Sequence, residues 1–133
     1  MSLTDEERKV IVRREYEKAL QCYQQAEANF QMQIWEVVAN RLYYAVFHGV
    51  TSLLIKDGHK VSTHKGVVMS FGLHYVTTGI MTDNEGRLYS QLQTIREKAD
   101  YNCIYQVEKT EVEKMMPLTE QLLAKIGDLV NVL

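Results

Sequence analysis

Hydrophobic residues recur at steps of three and four positions along most of the chain, the spacing that places side chains on one face of an α-helix. The first such stripe follows Thr4 and Glu7, whose spacing predicts a helix-capping box. Its seven members are Val12, Tyr16, Ala19, Leu20, Tyr23, Ala26 and Phe30. The pattern predicts a long amphipathic helix with one buried face.

A second helix is predicted from about residue 33 to about residue 56, where the Asp57-Gly58 turn signal ends it. Its hydrophobic residues cover most of the helix circumference: Trp35, Val38, Leu42, Ala45, Val46, Val50, Leu53 and Leu54. This distribution is typical of a central helix that is packed on several sides, so the polar residues on this helix become informative.

Three more helices are predicted after a polar loop, each from a cap and a hydrophobic stripe. Their caps are Ser62-Thr63, a Thr82–Glu85 capping box and a Thr110–Glu113 capping box. Gly72 and Gly79 weaken the first of these helices, and Pro117 should kink the last one or delay its start. The chain shows no strand-like alternation and no repeat.

Composition supports long helices rather than many short strands. The 133 residues are 46% hydrophobic and 24% charged, with a single proline and seven glycines. This length suits one ordinary domain, which we expect to span residues 1–133. The predicted fold class is all-α, an up-and-down four-helix bundle with an additional short helix.

The charge balance argues against a protein that binds nucleic acid duplexes tightly, because the chain has 15 basic and 17 acidic residues and a net charge of −2. A local basic cluster does occur, made of Lys56, His59, Lys60, His64 and Lys65. We interpret it as a solvated loop rather than a binding patch.

The chain is predicted to be cytoplasmic. Cys22 and Cys103 lack the CxxC spacing of redox or zinc sites and are expected to be reduced thiols. The first residues are charged at once and lack an apolar signal region. The most apolar stretch, Ala45–Ile55, is too short to span a bilayer, so no membrane association is expected.

Candidate chemistry lies on the second helix. Arg41 and His48 are seven residues apart, so they share one face at a separation of about 10 Å along the axis. Tyr44 falls between them, and Asn40 widens the polar side. A guanidinium can hold a phosphate and an imidazole can move a proton near neutral pH. Spacing alone favours another interpretation, in which both are hydrogen-bonded core polar groups.

A second polar group closes the fourth helix, where Arg96, Asp100 and Tyr101 follow one another. Because Arg96 and Asp100 are four residues apart, an intrahelical ion pair is the simpler interpretation. The remaining histidines lack helical metal-ligand spacing, and no Gly-rich phosphate loop is present. We therefore expect neither a metal site nor a cofactor.

Three segments carry a family resemblance: NRLYYAVFHGVTSLLIKDGHKVSTHKGV, then F-G-x-H-Y, then REKADYN. In this order they resemble a bacterial and archaeal branch of the HEPN (higher eukaryotes and prokaryotes nucleotide-binding) superfamily, from about residue 15 to about residue 126. The resemblance implies a helical bundle that is commonly dimeric. Many members are encoded beside a minimal nucleotidyltransferase, in toxin–antitoxin pairs whose HEPN chain is a ribonuclease.

The resemblance also assigns roles to residues. The family's ribonuclease motif, an arginine followed by a histidine, corresponds to Arg41 and His48. In active members a polar residue often follows the arginine, whereas Leu42 stands here, so the resemblance supports the fold more strongly than the cleavage. In some relatives the partner transferase nucleotidylates a tyrosine near the motif, for which Tyr44 or Tyr101 are the candidates. A homodimer would join two Arg41–His48 faces into one cleft.

Three functions remain open at this point. The first is a metal-independent endoribonuclease, the toxin of a pair with a nucleotidyltransferase antitoxin. Arg41 and His48 would then be catalytic, with Asn40, Tyr44, Arg96, Asp100 and Tyr101 binding RNA or nucleotide. The second is a non-catalytic module that binds a nucleotide or a partner through the same face. The third is a structural dimerisation domain whose polar stripe only specifies packing.

Overall fold

The computed structural model describes residues 3–131, and these residues form an all-α fold without a β-strand. The helices are α1 (Asp5–Gln31), α2 (Trp35–Lys56), α3 (His64–Phe71), α4 (Asp83–Tyr101) and α5 (Lys109–Val130). A π-helical turn, Gly72–Val76, continues α3. The predicted set of four long helices and one short helix is confirmed.

Helix α1 begins as predicted and buries most of the predicted stripe. The Thr4 hydroxyl accepts a hydrogen bond from the Glu7 amide at 3.1 Å, and the Glu7 carboxylate accepts one from the Thr4 amide at 2.9 Å. Leu20 is the exception, since it is 41% exposed while Cys22 is buried. The buried face continues from Ala19 to Cys22, a step of three, and Leu20 lies about 100° away from it.

Helix α2 is the central helix that its hydrophobic pattern predicts. It packs against α1, α4 and α5. Twelve of its residues between Val38 and Leu54 are buried. It ends before Gly58, whose φ of 81° is a left-handed conformation that glycine adopts without strain. The apolar stretch Ala45–Ile55 forms the second half of this buried helix. Over residues 3–131, no helix combines the length and hydrophobicity that crossing a membrane requires.

Contacts between α1, α2 and α5 define their directions. Arg8 near the start of α1 donates to the Ile55 carbonyl near the end of α2 at 2.7 Å, so the two helices are antiparallel. Helix α5 is also antiparallel to α1, because Tyr16 donates to the Leu123 carbonyl at 2.8 Å whereas the later Tyr23 donates to the earlier Met116 carbonyl at 3.1 Å.

Helix α4 runs antiparallel to both α2 and α5. Its end lies beside the start of α2, where Asn40 and Asp100 line one cavity. Its start lies beside the end of α5, where Lys125 and Glu85 form an ion pair of 2.9 Å. The four long helices therefore alternate in direction, and the predicted up-and-down bundle is confirmed.

Local signals after α2 are confirmed in part. Thr63 caps α3 by accepting from the Gly66 amide at 2.9 Å, and the Thr82–Glu85 box caps α4. The Thr110–Glu113 box is wrong, because α5 begins earlier, with Glu108 as its cap.

Pro117 does not delay the start of α5, which is helical on both sides of the proline. A proline inside a helix removes one backbone hydrogen bond. Burial of Val112 before it and of Leu122 and Ile126 after it holds the helix together at this point.

Candidate functional site

Arg41 projects from α2 towards α1 and is held by neutral acceptors. Its Nε and Nη2 donate to the Asn40 side-chain oxygen at 3.0 and 2.6 Å, and its Nη1 donates to the Gln25 side-chain oxygen at 3.0 Å. Within the described part of the chain, no carboxylate forms an ion pair with Arg41. Its positive charge is therefore positioned but not neutralised, which suits a guanidinium that binds phosphate.

His48 lies two turns further along α2 and is oriented by a carboxylate. Its Nδ1 is 2.7 Å from Oε2 of Glu15 on α1, and the side chains are 17% and 29% exposed. A carboxylate accepts, so Nδ1 carries the proton and Nε2 is the atom left to give or take one. This carboxylate–imidazole arrangement is the one that orients a general acid or base.

Tyr44 joins Arg41 and His48 into one surface. The Arg41 guanidinium lies 5.3 Å from the centre of the Tyr44 ring, and the His48 ring lies 6.2 Å from it. All three side chains are half-buried rather than enclosed. Arg41 and His48 do have hydrogen-bond partners, as the core interpretation expects, but they remain partly open to solvent.

Leu42 points the other way, into the core, where it is fully buried. The residue after the arginine therefore faces away from the Arg41–His48 surface in this chain. A polar side chain at this position would lie among hydrophobic neighbours, which gives a physical reason for the leucine.

A second histidine, His64, joins this surface although the sequence placed it in a solvated loop. It is the first residue of α3, and its ring stacks on Phe47 with centroids 4.5 Å apart and lies 5.7 Å from Tyr44. Its Nδ1 is 2.8 Å from the Tyr43 hydroxyl. The Thr63 cap was the available signal, since it places His64 in a helical first turn rather than in a loop.

Burial, with a smaller contribution from the positive charges of Arg96 and His48, lowers the pKa of His64. This keeps the His64 ring neutral at neutral pH. Burial raises the pKa of Tyr43 to about 12, so its hydroxyl keeps its proton. His64 and Tyr43 therefore form a neutral hydrogen-bonded pair.

Arg96 and Asp100 form the predicted intrahelical ion pair, with Nη1 and Oδ2 at 3.4 Å. The Arg96 guanidinium also lies 4.6 Å from the centre of the Tyr43 ring, a cation–π contact. Its Nε is buried and has no hydrogen-bond partner among the described residues. Arg96 therefore contacts the aromatic residue that also binds His64.

A cavity of about 190 Å³ lies between α2 and α4 beside Arg96. It is lined by Glu36, Val37, Ala39, Asn40, Arg96, Ala99 and Asp100. Asn40 belongs to both places, because its side-chain oxygen binds Arg41 while the residue lines the cavity. Tyr101 lies outside the cavity at the end of α4 and is 86% exposed. Among residues 3–131, no three histidine, cysteine or acidic side chains converge to hold a metal ion.

The fold is an antiparallel helical bundle whose central helix carries an arginine and a histidine two turns apart. Residues 12–129 match the family described as HEPN domain, so the chain belongs to the HEPN family.

Similar proteins of bacteria and archaea carry two kinds of name. A UPF0332 protein of Thermotoga maritima is 28% identical over 114 residues, which cover 86% of each chain. A protein of Methanocaldococcus jannaschii named "Putative toxin MJ0605" is 30% identical over 101 residues, which cover 76% of this chain and 75% of that protein. A UPF0332 protein of Archaeoglobus fulgidus is 28% identical over 86% of this chain and 90% of its own.

Proposed function

We propose that this chain is a metal-independent endoribonuclease that acts as a cytoplasmic toxin and is paired with a nucleotidyltransferase antitoxin. Family membership and the toxin names of two relatives from Methanocaldococcus jannaschii support the toxin role. In this proposal residues 1–133 form a single HEPN domain.

The observation that carries the proposal is the 2.7 Å contact between the Glu15 carboxylate and Nδ1 of His48. It assigns the Nδ1 proton and leaves Nε2 for proton transfer, while Arg41 on the same face offers an uncompensated charge. Cleavage of RNA without a metal needs these two functions, because a proton must move and charge must be stabilised at the phosphoryl group.

The reaction uses the 2′-hydroxyl of the RNA as the nucleophile. Its oxygen attacks the neighbouring phosphorus as its proton leaves, the bond from phosphorus to the 5′-oxygen breaks, and that oxygen takes up a proton. The products are a 2′,3′-cyclic phosphate and a 5′-hydroxyl. His48 serves one of these proton transfers, and Arg41 stabilises the phosphoryl charge.

The other predicted site residues serve RNA binding in this proposal. Tyr44 offers a half-buried ring on which a base can stack, and Asn40, Arg96 and Asp100 contribute to the adjoining cavity. Of the two tyrosines proposed for nucleotidylation by the partner, the exposed Tyr101 is more accessible than the half-buried Tyr44. A homodimer would bring two Arg41–His48 faces together and concentrate positive charge in a chain whose net charge is −2.

The test is RNA cleavage by purified protein in the presence of EDTA, with His48→Ala and Arg41→Ala beside the wild type. We expect wild-type cleavage that leaves cyclic phosphate ends, and a loss of about 100-fold or more in either variant. His74→Ala is the matched control, because this half-buried histidine lies in the π-helical turn after α3 and should keep full activity.

Two further controls separate chemistry from folding. Circular dichroism should show the same helix content in all variants, and a substrate with 2′-deoxyribose at the cleaved position should resist the wild type. Full activity in both the His48 and Arg41 variants would contradict the ribonuclease proposal.

A second candidate function is a non-catalytic module that binds a nucleotide or a partner. The cavity beside Arg96 favours it, because charged, polar and apolar side chains line this one opening between α2 and α4. It predicts that a nucleotide raises the melting temperature without turnover, and that Arg41→Ala weakens this effect. If neither nucleotides at millimolar concentration nor a nucleotidyltransferase raise the melting temperature, this candidate is wrong.

A further inference from the structure

We propose that His64 is a second proton-transfer residue, which acts with His48 on opposite sides of one RNA phosphodiester. This inference rests on the proposed ribonuclease function and deepens it. His64 would take the proton of the 2′-hydroxyl as general base, and His48 would give a proton to the departing 5′-oxygen as general acid.

The two imidazoles flank the same aromatic residues although they come from different helices. The ring centre of Phe47 is 5.2 Å from that of His48 and 4.5 Å from that of His64. Tyr44 likewise contacts both rings, at 6.2 and 5.7 Å. A general acid and a general base must each reach hydrogen-bond distance of a different oxygen on one phosphorus, so two imidazoles that contact the same two rings are candidates for this pair of roles.

Each imidazole has one nitrogen occupied by the protein and one left for substrate. Nδ1 of His48 is bound by Glu15 at 2.7 Å, and Nδ1 of His64 is bound by Tyr43 at 2.8 Å. Either group can donate in the hydrogen bond between Tyr43 and His64. The proposal requires the state in which Nδ1–H of His64 donates to the Tyr43 oxygen, because only then does Nε2 have a free lone pair. Nε2 of each ring has no hydrogen-bond partner among the described residues, and in this proposal it faces the substrate.

Charge assigns the two roles. His64 is half-buried beside the Arg96–Tyr43 contact, and this burial together with the positive charges of Arg96 and His48 lowers its pKa, which favours a neutral base. His48 lies 2.7 Å from the Glu15 carboxylate, and the proposal gives it the acid role.

The number of protons taken up and released by the two histidines balances in the cleavage step. Nε2 of His64 gains the 2′-hydroxyl proton as the 2′-oxygen bonds to phosphorus. Nε2 of His48 loses its proton to the 5′-oxygen as the bond from phosphorus to that oxygen breaks. Afterwards His64 is an imidazolium and His48 is neutral, and exchange of protons with water restores the starting state.

The first part of the test compares His64→Gln and His64→Phe with His74→Gln, in EDTA and with RNA. Glutamine keeps a polar partner for Tyr43, and phenylalanine keeps the stack on Phe47, so the two variants preserve different halves of the packing. Both His64 variants should lose about 100-fold or more in kcat, while their affinity for a 2′-deoxy substrate analogue stays unchanged. His74→Gln should cleave like the wild type.

The second part uses RNA in which sulfur replaces the 5′-oxygen that departs. A thiolate leaves without a proton, so this substrate does not need a general acid. It should restore cleavage by His48→Gln and should leave His64→Gln inactive. The reverse pattern would overturn the assignment of roles.

The outcomes separate this inference from the function on which it rests. If the wild type cleaves, His48→Gln does not, and both His64 variants cleave like the wild type, the inference is wrong and the ribonuclease proposal stands. If the wild type does not cleave RNA, the ribonuclease proposal is wrong and the inference is overturned with it.

Discussion

Two pairs of histidines occupy this bundle, and only one pair has defined hydrogen-bond partners. His48 and His64, the site histidines, contact Glu15 and Tyr43 through their Nδ1 atoms. His59 and His74, the end histidines, stack on each other with ring centres 3.8 Å apart. In the part of the chain that the structure describes, neither end histidine has a side-chain hydrogen-bond partner.

The difference shows what makes a histidine a candidate for chemistry. All four rings are half-buried and lie beside other aromatic rings. Only the site histidines have one nitrogen assigned by a neighbour, so that the other nitrogen has a defined role. The following predictions test this contrast, beginning with the largest expected effect.

Replacing both histidines of each pair should give the largest difference in RNA cleavage between the two pairs. RNA cleavage by the double variant His48→Gln/His64→Gln should fall by about 10²- to 10⁴-fold, because both proton transfers are removed. The double variant His59→Gln/His74→Gln should retain wild-type cleavage. Rates are measured in EDTA with equal amounts of folded protein. A comparable loss in both double variants would remove the basis for the comparison.

Replacing the carboxylates beside the two pairs should have a smaller effect. Glu15→Gln keeps a hydrogen bond to His48 but no longer requires the proton to stay on Nδ1, and we expect a fall in kcat of about 10- to 100-fold. Asp57→Asn is the matched control, since Asp57 accepts a hydrogen bond from Tyr75 next to the end histidines. Equal cleavage by both variants would show that Glu15 does not orient His48 for catalysis.

Removing a tyrosine hydroxyl near each pair should separate stability from activity. Tyr43→Phe loses the contact with His64, and Tyr75→Phe loses the 2.7 Å bond to Asp57. Each should lower the free energy of unfolding by about 1 kcal/mol, as measured in urea. Only Tyr43→Phe should also lower kcat, so a loss of activity in Tyr75→Phe would contradict the contrast.

The smallest expected effect is a pH dependence of stability that involves His64. Its pKa is lowered in the folded state, so the unfolded chain binds a proton more readily. The stabilisation is complete above the unfolded pKa of 6.5 and is lost as the pH falls towards the lower folded pKa. The unfolding free energy of His64→Gln should therefore fall less than that of the wild type between about pH 7.5 and about pH 5.5. An identical fall in both proteins would contradict the burial of a neutral His64.

The sequence predicts the helices well where the signals are local. Caps such as Thr4 and Thr82 act within one turn, and the hydrophobic stripes show which face is buried. The predicted start of α5 is wrong because two capping patterns, Glu108–Glu111 and Thr110–Glu113, lie two residues apart. The Glu111 carboxylate accepts from the Glu108 amide at 3.1 Å and from the Tyr105 hydroxyl at 2.9 Å, and the second contact is outside the local cap pattern.

The site is only half predictable because its partners come from different helices. Arg41, Tyr44 and His48 share a helix, so helical geometry alone brings them onto one face. Glu15 contacts His48 across 33 residues of chain, and His64 contacts Tyr43 across 21 residues. A periodic hydrophobic pattern carries no information about such distant pairs. Tyr101 follows Asp100 in sequence, but its side chain is exposed at the end of α4 and lies outside the cavity that Asp100 lines.

The central claim is that His48 moves a proton during metal-free RNA cleavage, and chemical rescue tests it most directly. His48→Ala should be inactive in EDTA, and added imidazole should restore cleavage in proportion to its concentration, because free imidazole can replace the missing proton donor. His59→Ala should cleave like the wild type without imidazole. Wild-type activity in His48→Ala before imidazole is added would contradict the account.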